Sequence, residues 1–166
     1  MGEMGSKGRR MITCIFENGN KANLRHVVVH AIIEMDGKLL LEKRTGDLLE
    51  SGKWSLPSGF LDRDETAAEG IVREVKEETG WESEIITLFR INTKPDRPHE
   101  DRQNVAIEFL VRPIKKTGEQ DSESSKVEWI PIDTLIPLED FAFDHGETIG
   151  LYLKYRKTPF PLPIMV

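Results

Sequence analysis

Residues 59–81 read GFLDRDETAAEGIVREVKEETGW. Glu74, Glu77 and Glu78 stand at i, i+3 and i+4, so a helix gathers them on one side within about one turn. Three like charges that close repel one another unless a cation lies among them. A hard divalent ion such as Mg²⁺ suits the place, because it takes oxygen ligands and shares them with substrate phosphates.

The helix has legible ends. Thr66 followed by Glu69 forms a capping box, which starts the helix at Ala67. Gly80 is placed to end it as a C-terminal cap. On the helical wheel Ala68, Ile71, Val72 and Val75 make an apolar face for the core. Glu69, Arg73 and Lys76 make a second face suited to water or ion pairs. The three glutamates occupy a third, with Gly70 one turn before Glu74. A glycine inside a helix costs roughly 1 kcal/mol against alanine, and its expected use is to leave room for a metal-bound water or a phosphate. Glu65 falls outside the helix and is expected to act from the loop, steering Arg73.

Taken whole, the stretch resembles the signature of the Nudix hydrolases, GX5EX7REUXEEXGU, where U is a bulky apolar residue. It runs through Gly59, Glu65, Arg73, Glu74, Val75, Glu77, Glu78, Gly80 and Trp81. Trp81 replaces the usual aliphatic residue but keeps its bulk. Ser58 stands where a second glycine is common, which alters the turn at the metal. A lone Glu-x-x-Glu-Glu is mostly a solvated face; the full pattern would arise by chance on the order of once in 10⁹ starts. The resemblance implies an α/β/α sandwich with a mixed β-sheet between helices. It also implies metal ligation by Glu74, Glu77, Glu78 and the Gly59 carbonyl, with Mg²⁺ the expected ion and Mn²⁺ the alternative.

Composition fits one enzyme domain. At 166 residues the chain is long enough for a real core. A net charge of −6 argues against a nucleic-acid partner, which favours basic proteins. No apolar run reaches the roughly 20 residues that span a bilayer, so no membrane partner is expected. Cys14 is the only cysteine and cannot form an internal disulfide, which points to the cytoplasm. Met1-Gly2 with Ser6 formally matches a myristoylation start, but the Gly-rich segment 1–10 reads as a disordered terminus.

The rest divides into residues 11–157 as a single domain and 158–166 as a Pro-rich apolar tail. Strands are expected at 26–35, 38–44, 84–92, 104–112 and 127–130. Asp36-Gly37 is a hairpin turn between the first two. One helical turn is expected at 132–136, and a second capping box, Asp144 with Glu147, opens a helix to Lys157. The tail TPFPLPIMV has three readings: disordered, packed along the domain, or docked on a second subunit in a homodimer.

The resemblance implies that water attacks a phosphorus of a nucleoside diphosphate-linked small molecule. Bound ions neutralise the diphosphate and lower the pKa of the water. Glu74 and Glu77 with Arg73 are the expected catalytic core. Glu123, six residues before Trp129, matches the spacing of an extra metal-site glutamate in MutT-like members and is the expected loop base, with Glu100 its rival. Arg44, Arg97 and Arg102 are candidates to bind phosphates. His26 and His30 read as packed strand residues, and His145 either contacts the nucleotide or is structural. Lys94-Pro95-Asp96-Arg97-Pro98, Asp101-Arg102 and Phe143-Asp144-His145 are similar to ADP-ribose pyrophosphatase-like members. The expected reaction is hydrolysis of ADP-ribose or a related nucleotide sugar; the alternative is a MutT-like nucleoside triphosphate pyrophosphohydrolase releasing pyrophosphate. A non-catalytic nucleotide-binding module would be expected to have lost carboxylates of the box, and none is lost here. RNA 5′-end trimming lacks a basic stripe.

Overall fold

A computed structural model describes residues 12–122 and 124–166. Segment 1–10, the match at Gly2 and Ser6, and Glu123 therefore lie outside the described residues. A hairpin of two short strands, β1 (Ile12–Ile15) and β2 (Lys21–Leu24), precedes the sheet. Sequence reading did not anticipate this hairpin, whose side chains are mostly exposed or half-exposed and carry little alternation.

The organising strand is β3 (His26–Met35). Val29, Ala31 and Ile33 are fully buried on one face and Ile32 on the other, the period-2 pattern of a strand covered on both sides. Asp36 and Gly37 both have positive φ, as a two-residue type I′ turn requires, and return the chain as β4 (Lys38–Arg44). β5 (Trp54–Ser55) pairs with β4, and β6 (Ser58–Phe60) pairs with β3, setting Gly59 opposite Val29. Helix α1 (Ala67–Thr79) follows, then β7 (Trp81–Asn92), β8 (Asn104–Lys116) and β9 (Ser124–Pro131). β8 runs parallel to β3 and antiparallel to β7, while β9 is antiparallel to β4, so the sheet is mixed. Helix α2 (His145–Lys157) and a short strand β10 (Ile164–Met165) complete the order.

The two helices cover opposite faces. Ile71 and Val75 of α1 pack with Val29, Ala31, Ile33, Phe109 and Val111. Ile149 of α2 packs with Ile32, Leu39, Leu41, Leu56, Phe89 and Phe141. The alternation of β3 thus supplies both cores, and each fully buried aliphatic side chain contributes roughly 1.5–3 kcal/mol. The expected α/β/α sandwich is what the chain forms.

Several boundaries differ from expectation. β7 begins at Trp81, directly after the helix, because Trp81 docks edge-on against Trp129 at 5.5 Å. Ala68 is exposed; Ala67, one turn before Ile71, packs on the core instead. Asp144 stands at the N-cap of α2, yet its side chain makes no capping bond. Arg97 and Asn92 take that carboxylate instead, and Glu147 accepts from Arg90 and Lys94. A charge-assisted pair thereby replaces a capping box that local sequence predicts. The tail lies along the domain: β10 pairs parallel to β7, and Val166 accepts from Thr93 through its carbonyl. Among the described residues, no helix is long and apolar enough to cross a membrane.

Candidate active site

Helix α1 begins and ends as its sequence predicts. Thr66 accepts from the Glu69 amide while the Glu69 side chain accepts from the Thr66 amide, closing the capping box. Gly80 is left-handed at φ 73° and its amide donates to the Lys76 carbonyl. The amides of Thr117 and Gly118 then donate to the Gly80 carbonyl, and the Asp121 amide donates to the Glu77 carbonyl. Loop 117–121 so satisfies the carbonyls that a helix C-terminus leaves open. The same contacts bring Asp121 to the carboxylate face.

Arg73 organises that face. Its Nε and one Nη donate to the Glu65 carboxylate at 3.0 and 2.8 Å. The other Nη donates to Glu74 at 2.8 Å and to Glu77 at 3.1 Å. The guanidinium beside Glu65 holds its carboxyl down at about 2. Glu65 thus reaches Arg73 from the loop, where it is expected to act. Gly70 serves this arrangement too: a β-carbon there would stand 2.8 Å from Glu65 Oε1 and 3.1 Å from Leu61. Its bareness admits the Glu65 loop, which corrects the expectation that it makes room for water or phosphate.

Glu78 is buried, and one carboxylate oxygen accepts from the Ser58 amide at 2.8 Å. Burial pushes its carboxyl well up, and the neighbouring Glu42 and Glu74 charges push the same way. Glu42 is buried as well, accepting from Ser55 at 3.0 Å and Ser124 at 2.7 Å. As the side chains stand, no group of three carboxylates among the described residues converges on one point, because Arg73 holds Glu74 and Glu77. The donor set nevertheless fits a hard divalent ion. It is all oxygen, its members repel one another, and the Glu74 carboxylate fills the place of a β-carbon on Gly59.

Gly59, Glu74 and Glu77 open onto a cleft of about 560 Å³. Gly59, Glu74, Glu77 and Asp121 line it, as do Phe60, Glu100, Arg102, Asn104, Arg44, Leu49 and Phe143. The size suits a small-molecule ligand.

A model of the NUDIX domain matches residues 23–152. The chain belongs to the Nudix hydrolase family. A relative from Methanocaldococcus jannaschii, an ADP-ribose pyrophosphatase, is 33% identical over 130 residues, covering 78% of this chain and 74% of its own. The 8-oxo-dGDP phosphatase NUDT18 of Homo sapiens is 31% identical over 142 residues, but this chain spans only 41% of its length. Among solved structures, a NUDIX hydrolase from Nitrosomonas europaea superposes with a TM-score of 0.74 at 26% identity, covering 99% of this chain and 97% of the other. Membership makes this chain a pyrophosphohydrolase of nucleoside diphosphate derivatives, a class that works with divalent metal ions.

The Nudix helix brings Arg73, Glu74 and Glu77 to the cleft, with Glu78 buried behind them. Arg44 reaches it from the end of β4, its Nε held by the Leu49 carbonyl at 2.8 Å and its guanidinium 5.1 Å over the Phe143 ring. Arg102 lines it as well, forked onto Asp101 and 5.1 Å over Phe60. Arg97 does not line the cleft. It is buried and forked onto Asp144 at 2.9 and 2.7 Å, so its charge is already matched; this replaces the phosphate contact expected of it. His30 and His145 line the cleft, whereas His26 stacks on Phe60 at 4.0 Å. Sequence reading missed Asp121, Glu42 and Phe60, and singled out Phe143 only as part of the Phe143-Asp144-His145 stretch. Asp121 lies in a polar loop with no periodicity to mark it. Phe143 carries a positive φ of 50°, unusual for a large residue, and sequence does not show it.

Proposed function

We propose that this Nudix hydrolase cleaves the diphosphate linkage of ADP-ribose or a related nucleotide sugar, with Mg²⁺ as the working ion and Mn²⁺ an acceptable substitute. The supporting observation is the cleft's make-up. Carboxylates line it, Glu74, Glu77 and Asp121 among them, together with two separate cation–ring pairs, Arg44 over Phe143 and Arg102 over Phe60. That arrangement suits a molecule with an organic group on each side of a diphosphate. The name of the Methanocaldococcus jannaschii relative points the same way.

In this reading Glu74, Glu77, Glu78 and the Gly59 carbonyl hold the metal, with Asp121 added from its loop. The bound ion supplies charge neutralisation for the diphosphate and acidifies the attacking water. Arg73 keeps Glu74 and Glu77 aligned, and Glu65 keeps Arg73 aligned. Arg44 and Arg102 hold phosphate oxygens. Water oxygen bonds to one phosphorus, the P–O bond to the bridging oxygen breaks, and a carboxylate takes the water's proton. Glu123 keeps the role of base that its spacing implies. Glu100 remains its rival, since it faces the same cleft and burial raises its carboxyl.

A second reading, removal of phosphate or pyrophosphate from a nucleoside di- or triphosphate, draws on the likeness to the human 8-oxo-dGDP phosphatase. Product analysis separates the two. Incubation with ADP-ribose and with nucleoside triphosphates, in Mg²⁺, should yield AMP and ribose phosphate from the first. Release of pyrophosphate from the triphosphates with ADP-ribose untouched would overturn the proposal.

A further inference from the structure

We propose that His145 is a positioning residue for the catalytic centre, fixing the turn at residues 56–59 through its Nδ1 nitrogen; the inference rests on reading this cleft as the Nudix active site. The Leu56 amide donates to His145 Nδ1 at 3.0 Å across 89 positions of sequence. Leu56 and His145 are both buried, so water cannot take over that donor. A nitrogen that accepts carries no proton, so the ring is neutral with its hydrogen on Nε2. Burial holds it so, pushing the imidazole down to about 3.

Each partner of this bond is fixed on its far side. Asp144, the residue before His145, is forked by Arg97 and bonded by Asn92. Gly146, the residue after, lies so close to the Leu138 carbonyl that a β-carbon would collide with it. The His145 amide donates to Ala142, whose own amide donates to Trp54. On the turn, the Pro57 carbonyl accepts from Ala31 at 2.9 Å and the Ser58 amide donates to Glu78 at 2.8 Å. Leu56 is thus two residues from the donor that holds Glu78 and three from Gly59. The N-terminus of α2, anchored by a buried ion pair, sets where those groups stand.

Two substitutions in the full chain separate the ring nitrogens. His145→Asn places an acceptor near Nδ1, and His145→Gln places a polar atom near Nε2 instead. Amide hydrogen exchange across residues 54–60, without metal, reads the turn; Mn²⁺ binding by electron paramagnetic resonance reads the metal site. The Asn variant is expected to retain parental exchange. The Gln variant is expected to lose protection at Leu56 and Ser58 and to bind Mn²⁺ roughly ten- to a hundredfold more weakly. Parental behaviour in Gln with a defect in Asn would move the role to Nε2 and overturn the proposal. Unchanged exchange in both variants, or failure of both to fold, would overturn it as well. A parent that binds no Mn²⁺ would sink the catalytic reading instead, and the exchange comparison would still decide this one.

Discussion

The Glu74 carboxylate lies where a β-carbon on residue 59 would have to stand. Gly59 is not in the left-handed region, so the demand for glycine comes from this contact rather than from the backbone angle. Gly59→Ala should therefore displace Glu74 while leaving the fold intact. A shift of about 1 Å at a catalytic group costs on the order of 10²-fold in rate. Steady-state kinetics should show that loss in kcat, with a melting temperature within a few degrees of the parent.

Glu65 is proposed to act through Arg73. Its side chain presents two oxygens to the guanidinium fork, a geometry that neither an amide nor a lysine reproduces. Glu65→Gln and Arg73→Lys should each lower kcat by about tenfold or more, the scale of groups that orient metal ligands. The substrate KM and the melting temperature should move little. Parental kcat in both variants would show that the fork has no bearing on Glu74 and Glu77.

Glu42 gives a pH test. Burial pushes its carboxyl from 4.5 up to about 7, against the two serine hydroxyls that favour the charged form. The folded chain thus binds a proton more tightly than the unfolded chain. That stability is fully present below pH 4.5 and is lost as pH rises through 7. Glu42→Gln removes that charge, so its stability relative to the parent should improve as pH rises from about 4 to about 8. Urea denaturation in chelator at several pH values measures this, and a pH-independent difference would refute it.

The tail offers a stability prediction separable from catalysis. Leu162 and Ile164 pack on the α2 core, and Val166 accepts from Thr93. Deleting residues 162–166 should cost roughly 2 kcal/mol from lost burial and edge pairing. The kcat should stay at the parental level.

What sequence makes legible is what local spacing encodes. The capping box at Thr66 and the left-handed stop at Gly80 depend on neighbours within four residues, and both stand as expected; the wheel of α1 places Ile71 and Val75 in the core but puts Ala68 there in place of Ala67. The alternation of β3 and the turn at Asp36-Gly37 are local in the same sense. Arg97 and Asp144 meet across 47 positions, so no spacing announces that one neutralises the other and leaves neither for phosphate or cap. Asp121 reaches the site only because its loop finishes the hydrogen bonding of a helix end. Gly70 misleads because the object filling its space, Glu65, arrives from outside the helix.

The proposed hydrolysis requires the three glutamates of α1 to hold a divalent ion against a diphosphate. The most direct test measures ADP-ribose hydrolysis by the parent and by Glu78→Gln across a titration of Mg²⁺, with folding checked by circular dichroism. It predicts ion-dependent release of AMP and ribose phosphate by the parent and none by the folded variant. Equal turnover in the variant, or turnover in the parent that ignores the ion, would contradict it.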